Sequence, residues 1–236
     1  LNQGNRKKQY SLTVIIPVYN EVKTIKEIVS RVADTGLVSE IIVVDDGSSD
    51  GTRKILNELA RQKKIKAVFH DQNKGKGSAI RSGLDQASGD LILIQDADLE
   101  YDPRDYPTLM QPIQEDIADV VYGSRFLGGP RRPILFWNMV ANKILTLTTN
   151  ILYNNILTDM ETGYKLFKRE VVEGMHIHAK RFDFEPEFTA KILKRKVRIY
   201  EVPIRFTPRN YDEGKKIKMK DAFEAMWTLI KYRFVD

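Results

Sequence analysis

The chain has 236 residues, 42% hydrophobic and 30% charged, so it has the material for a sizeable core and is not disordered. It contains no cysteine and three histidines, which excludes disulfides, zinc–thiolate centres and thiol nucleophiles and leaves little for a histidine-rich metal site. A net charge of +6 favours anionic partners such as nucleotides, sugar phosphates, lipid head groups or nucleic acid, without choosing among them.

The opening LNQGNRKKQYS lacks the apolar core of a signal peptide. Five short, mostly β-branched runs then read as strands: LTVIIPVY (12–19), EIIVVDD (40–46), IKAVFH (65–70), DLILIQ (90–95) and DVVYGS (119–124). Helix-period stretches separate them: EVKTIKEIVSRVADTG (21–36), DGTRKILNELARQKK (50–64), KGSAIRSGLDQASG (76–89) and RDYPTLMQPIQED (104–116). Ser49 or Asp50 is a fitting N-cap for the second, and Gly36 and Gly89 end the first and third. Strands that are apolar throughout and alternate with helices predict an α/β fold, a mostly parallel sheet covered on both faces, with a C-terminal elaboration of helices and a strand. Ligands are expected at the carboxyl ends of its strands.

Past residue 125 the rhythm changes. A basic hinge, GGPRRP (128–133), leads into a long apolar segment at 134–153, followed by DMETGYKLFKREVV (159–172). A helix is predicted over 184–196, a strand over 197–206, a polar loop over 207–218 and a closing helix over 221–234. No run reaches the ~18–20 unbroken apolar residues of a membrane span, because the nearest is interrupted by Asn138, Asn142, Lys143 and threonines. There is no internal repeat and no low-complexity linker.

Four strand ends carry chemistry. LILIQDADLEYDP (91–103) runs from a buried strand straight into Asp96, Asp98 and Glu100. In an extended segment Asp96 and Asp98 share one side, where at ~7 Å and a dielectric of ~20 they repel by roughly 2 kcal/mol. A divalent cation between them turns that repulsion into binding; the plainer reading is a strand ending in turn-forming acids. VIIPVYNE places Pro17, Tyr19 and Glu21 after the first strand, as a fixed turn, a stacking ring and an acid at a helix start. VVDDGSSDGT ends the second strand in two aspartates, suited to a nucleoside's N–H or hydroxyl groups or to a plain turn. NKGKGSAIRSG (73–83) is a basic, glycine-rich helix start suited to an anion, although it is neither a P-loop nor a dinucleotide fingerprint. YGSRFLGG puts Arg125 just beyond a strand, able to fork onto a phosphate or to form a salt bridge.

In this order and spacing, VIIPVYNE, VVDDGSSDGT, NKGKGSAIRSG, DADLEYDP and YGSR resemble the family 2 inverting glycosyltransferases of the GT-A fold, and more narrowly dolichyl-phosphate mannose synthases and bacterial polyprenyl-phosphate hexosyltransferases. The resemblance covers about residues 12–235. It implies one domain over 1–236, a nucleotide-sugar half at about 12–125 and an acceptor and membrane-surface half at about 126–236. By the same resemblance Pro17, Tyr19, Glu21, Val44, Asp46, Asp96, Ala97, Asp98, Arg209 and Lys216 would bind a GDP- or UDP-hexose. Asp96, Asp98 and Glu100, the last in place of a usual Gln, would hold Mg²⁺ or Mn²⁺. Arg125 and Lys143 would meet an acceptor phosphate, and Asp98, Arg125 and Arg209 would be catalytic. The helix after PRRP would lie on a membrane, at its cytoplasmic face; its Phe136, Trp137, Arg131, Arg132 and Lys143 are the composition of an interfacial helix, although packing on the core or on a second copy also fits.

The activity implied is metal-dependent, inverting transfer of a hexose, mannose or glucose, to a polyprenyl or dolichyl phosphate. Transfer to a sugar hydroxyl is the alternative and needs a general base, for which Asp159, Glu161, Glu185 and Glu187 are candidates. A non-catalytic basic module binding RNA or anionic lipid is a further alternative, but no strand carries the aromatic pattern of an RNA-binding sheet, and a nucleic-acid partner is not expected.

Overall fold

The computed structural model describes residues 10–128, 132–133, 135–209 and 219–235. The expected strands form as β1 (Leu12–Val18), β2 (Glu40–Asp45), β3 (Lys66–Phe69), β4 (Leu91–Ile94), β5 (Val120–Ser124) and, later, β7 (Ile199–Pro203). A further strand, β6 (Lys165–Lys168), lies in the segment 159–172, where the apolar pattern is too short to mark one. The sheet order is β3-β2-β1-β4-β6-β5-β7. β6 is antiparallel to both of its neighbours, so the sheet is mixed, with the mostly parallel strands that were expected.

The reversal has a consequence for the site. Six strands point their carboxyl ends at one rim, and β6 starts from that rim, so the residues leading into it are delivered there as well.

The strands alternate their side chains between two apolar layers, as a pleated backbone requires. Val14, Ile16, Val43 and Leu93 face α1 (Ile25–Asp34), α2 (Thr52–Arg61) and α4 (Tyr106–Gln114). Ile15, Ile92, Val120 and Phe167 face α3 (Lys76–Leu84), α5 (Phe136–Tyr153), α6 (Phe184–Lys194) and α7 (Met219–Phe234). Gly36, at φ 66°, follows the end of α1 as predicted, whereas α3 stops at Leu84, five residues before Gly89.

α5 and α7 pack side by side and leave an apolar face outward. Phe136, Trp137, Leu147 and Ile151 of α5 are exposed, as are Phe223, Trp227 and Phe234 of α7. No described helix is long and apolar enough to cross a membrane.

At the tip of β4 the fold is fixed by Gln95, which is fully buried. Its side-chain oxygen accepts from Tyr106 (2.8 Å) and Tyr164 (2.6 Å), and its amide donates to the Asp96 carbonyl (3.0 Å). Gln95→Leu should therefore strand two buried phenols and lower stability by about 1–3 kcal/mol for each. Urea unfolding measures this, and a midpoint equal to wild type would contradict the role given to Gln95.

Candidate active site

The rim encloses a cleft of about 330 Å³. Pro17, Tyr19, Glu21, Asp46, Asp96, Ala97, Asp98, Glu100, Arg125 and Arg209 all line it, so four strand-end motifs and the loop after β7 converge. Val44 does not. It is fully buried in β2, paired with Pro17, and its side chain packs with Ile42 and Ala79 beneath α3, which keeps that side chain out of the cleft. Lys143 does not line it either: its ammonium donates to the Thr158 carbonyl (3.2 Å) and lies 4.0 Å from the centre of the Phe126 ring. Lys216 lies outside the described residues.

The acids after β4 are gripped by two internal cations. The Lys76 ammonium sits 2.8 Å from Asp96 and 2.8 Å from Glu185. Burial disfavours that charge, but the two carboxylates outweigh it and hold the ammonium well above its ordinary range. Arg209 donates to Asp98 (3.0 Å) and to Glu21 (3.2 Å), and its backbone N–H donates to Glu100 (2.7 Å). Even so, burial, then the Asp96 charge, then the Glu100 charge push the Asp98 carboxyl up to about 7 against the pull of Arg209. The rim thus gathers more negative charge than its cations neutralise.

That imbalance fits a divalent cation. Mg²⁺ and Mn²⁺ take hard oxygen ligands, and Mg²⁺ characteristically one or two carboxylates, completing its shell with phosphates and water. Glu100 is turned to the Arg209 backbone, and among the described residues no three carboxylate or histidine side chains gather as a metal-binding group. Asp96, Asp98 and Glu100, the three acids expected from the sequence, all line the cleft, and the first two are the pair whose side chains are not turned to that backbone. Gly163 makes room beside them, since a Cβ there would come within 2.3 Å of Asp96 Oδ2.

Two other motifs serve the scaffold. The start of α3 was expected to hold an anion, but its backbone N–H groups at Gly77 and Ser78 already donate to the carbonyls of Arg181 (3.1 Å) and Lys180 (3.2 Å). Its glycines admit that close approach, and its lysine is held by acids. Asp46 lines the cleft while accepting from Lys74 N–H (2.9 Å) and Gly75 N–H (2.7 Å) and touching His70 Nδ1 (2.7 Å), so it also fixes the loop after β3.

Arg125 reaches the cleft with its guanidinium forked onto Asp159, at 2.7 Å for each of two bonds. Burial opposes both charges, yet the pairing holds Arg125 above its ordinary range and Asp159 below its own. Asn142 of α5 donates to the same carboxylate (2.9 Å), which joins the outer helix to the cleft wall. Glu161, also lining the cleft, has a buried Oε1 without a hydrogen-bond partner among the described residues. Burial and then the nearby Glu185 charge push its carboxyl up to about 8. Arg181 and Phe182 belong to the cleft and carried no distinguishing sequence signal as site residues, because their part of the rim meets the rest only in three dimensions; Lys76, also in the lining, falls within the glycine-rich motif 73–83.

A mostly parallel sheet with one reversed strand and an acid-lined cleft at its rim defines the class: this is a GT-A fold. The structure superposes with TM-score 0.75 on glucosyl-3-phosphoglycerate synthase from Mycobacterium tuberculosis in complex with Mn²⁺, uridine diphosphate and phosphoglyceric acid, at 22% identity, covering 98% of this chain and 81% of that one. The family description Glycosyl transferase family 2 matches residues 13–175, and the chain belongs to that family. It is 34% identical to a dolichol-phosphate mannosyltransferase of Pyrococcus furiosus over 91% of its own length and 61% of that protein's, so it spans about three-fifths of that relative. It is 32% identical to a UDP-N-acetylglucosamine–dolichyl-phosphate N-acetylglucosaminyltransferase of Methanococcus voltae, over 92% of this chain and 94% of the relative.

The acid cluster makes a pH-dependent prediction. Asp98 ionises at 3.8 ordinarily and at about 7 here, so the fold retains a proton that the unfolded chain has lost. Its stabilising effect is complete below 3.8, falls as pH rises to about 7, and is absent above that. Asp98→Asn should therefore raise the melting temperature at pH 8 without added metal. It should also weaken Mn²⁺ binding, by no less than the roughly 10-fold that loss of a supporting group costs. Melting below wild type at pH 8, or unchanged Mn²⁺ affinity by titration calorimetry, would contradict this account.

Proposed function

We propose that this protein transfers a hexose, mannose or glucose, with inversion, from a nucleotide sugar to a polyprenyl or dolichyl phosphate at a membrane surface, in a reaction dependent on Mg²⁺ or Mn²⁺. Asp96 and Asp98 would hold the metal, whose contribution when bound is to offset charge on the leaving diphosphate. Pro17, Tyr19, Glu21 and Asp46 line the part of the cleft suited to the nucleoside. Arg209 is placed to follow the diphosphate, exchanging Asp98 for a phosphate oxygen as negative charge grows on the leaving group.

The observation that carries the acceptor class is the state of the cleft's carboxyls. Asp46, Asp96 and Asp98, with Glu21 and Glu100, are all engaged by cations or N–H groups. Glu161 has its carboxyl pushed up to about 8, so only a minor fraction of it is ionised to act as a base at neutral pH. The other candidates are also committed: Asp159 to Arg125, Glu185 to Lys76, and Glu187 to the His178 N–H (2.8 Å) and Lys191. Among the described residues a sugar hydroxyl would have to rely on the minor ionised fraction of Glu161 to take its proton. A phosphate monoester, whose second pKa is about 6, is already ionised and needs none. Its oxygen forms the bond to the anomeric carbon from the face opposite the leaving group, the bond to the diphosphate breaks, and a nucleoside diphosphate departs with the electron pair.

The exposed face of α5 and α7 supports a lipid acceptor, because α5 is hydrogen-bonded through Asn142 and Asp159 to the wall that carries Arg125. Aromatic and aliphatic side chains on paired helices suit burial in the head-group region of a bilayer. The RNA-binding alternative gains nothing from the site: Lys76, Arg125 and Arg209 are paired with carboxylates and not presented to a polyanion.

The test is incubation with UDP- and GDP-hexoses, Mn²⁺ or Mg²⁺, and a short-chain polyprenyl phosphate. A glycolipid should form with one donor, Asp98→Ala should abolish it, and Glu161→Gln should keep activity within about 10-fold, since a protonated carboxyl and an amide both donate a hydrogen bond. A loss of about 1,000-fold in Glu161→Gln would fit general-base catalysis and a hydroxyl acceptor.

A further inference from the structure

Four cations line the cleft among the described residues, and three of them are paired: Lys76 with Asp96 and Glu185, Arg125 with Asp159, and Arg209 with Glu21 and Asp98. The fourth, Arg181, is exposed, and its guanidinium has neither a hydrogen bond nor an ion pair among the described residues. Its backbone, by contrast, is tightly fixed. Its N–H donates to Asp183 (2.6 Å) and its carbonyl accepts from Gly77 (3.1 Å). The approach to it is held by Arg81, which donates to the Ile177 (3.0 Å) and Ala179 (2.9 Å) carbonyls, and by Glu187, which accepts from the N–H groups of His178 (2.8 Å) and Ala179 (2.5 Å). The stem of Arg181 lies on Gly75, where a Cβ would come within 2.9 Å of its Cγ and 2.2 Å of the Lys180 carbonyl. A guanidinium without a partner on an over-determined loop is pre-organised for a ligand.

We propose that Arg181 binds the phosphate of the acceptor. This rests on the lipid-phosphate reading above and supplies the group that the sequence assigned to Lys143. The cleft wall beside Arg181 would otherwise repel an anion, because Asp96 and Glu185 stand there. Lys76 bridges both and neutralises that wall, so a phosphate meeting Arg181 does not face bare carboxylates. Arg209 lies with Asp98 and Glu100, on the side suited to the leaving diphosphate, which keeps the two phosphate subsites apart. The Arg181 loop leads directly into α6, which packs on α7 with its exposed aromatic side chains, and a phosphate held here has its lipid chain near that apolar face. Arg's planar fork suits a phosphate's paired oxygens, which a lysine meets only as a point charge.

Arg181→Ala and Arg181→Lys are assayed beside wild type with a short-chain polyprenyl phosphate and saturating nucleotide sugar, and nucleoside diphosphate binding is titrated separately in the presence of Mn²⁺. Loss of a charge-assisted contact should raise KM for the lipid phosphate in Arg181→Ala by about 10-fold or more, with part of this restored in Arg181→Lys. Nucleotide affinity and melting temperature should stay at the wild-type values. An unchanged lipid-phosphate KM in Arg181→Ala overturns the assignment, and so does a matching loss of nucleotide affinity, which would move Arg181 to the donor. Absence of glycolipid with wild type overturns the underlying reading, and this assignment with it.

Discussion

The site depends on one electrostatic constraint: several carboxylates are packed where β4 leaves the core, and two internal cations do not fully neutralise them. Lys76 ties Asp96 to Glu185, and Arg209 ties Asp98 to Glu21. Burial and mutual repulsion still leave Asp98 titrating near neutrality. A fold does not gain stability from such an arrangement, since the desolvation of each charge is offset only in part. On the proposed reading it would serve as a receptacle for a divalent cation and the phosphates that come with it. Lys76 and Arg209 both line the cleft, so a bound ligand would exchange partners with them without exposing new charge.

The reversed strand β6 makes the second contribution. Because it starts at the same rim where its neighbours end, it carries Glu161 and Gly163 into the cleft from the opposite direction, with Asp159 buried behind Arg125. Asp159 then links three parts of the molecule: the Arg125 fork, the α5 amide of Asn142 and, through its backbone, the Glu201 carboxylate of β7 (3.2 Å). The outer helices and the reaction centre therefore share a rigid connection. The proposed lipid acceptor would use that connection, with its head group in the cleft and its chain along α5 and α7.

Much of this was legible in the chain. Continuous β-branched runs separated by helix periods gave the α/β class, and acids, glycines and an arginine at strand ends marked the rim. What stayed hidden depended on partners far along the sequence. β6 is four residues long and sits in a stretch without a clear period, so local pattern could not find it. Val44 was assigned by analogy of motif, but the pairing of β2 with β1 turns its side chain into the core. The α3 start has the composition of an anion site, yet the loop at 177–182 occupies its N–H groups, a contact spanning about a hundred residues. For the same reason nothing adjacent to Arg181 in sequence distinguishes it from a surface arginine.

The central claim is that Asp96 and Asp98 exchange their internal cations for a divalent ion and a diphosphate. The most direct measurement is anomalous diffraction at the manganese edge from crystals soaked with Mn²⁺ and a nucleoside diphosphate. The account predicts one strong peak within about 2.5 Å of an Asp98 oxygen, with the Arg209 guanidinium moved from that carboxylate onto a phosphate. Manganese bound elsewhere, with the Asp96–Lys76 and Asp98–Arg209 pairs intact around the nucleotide, would contradict it.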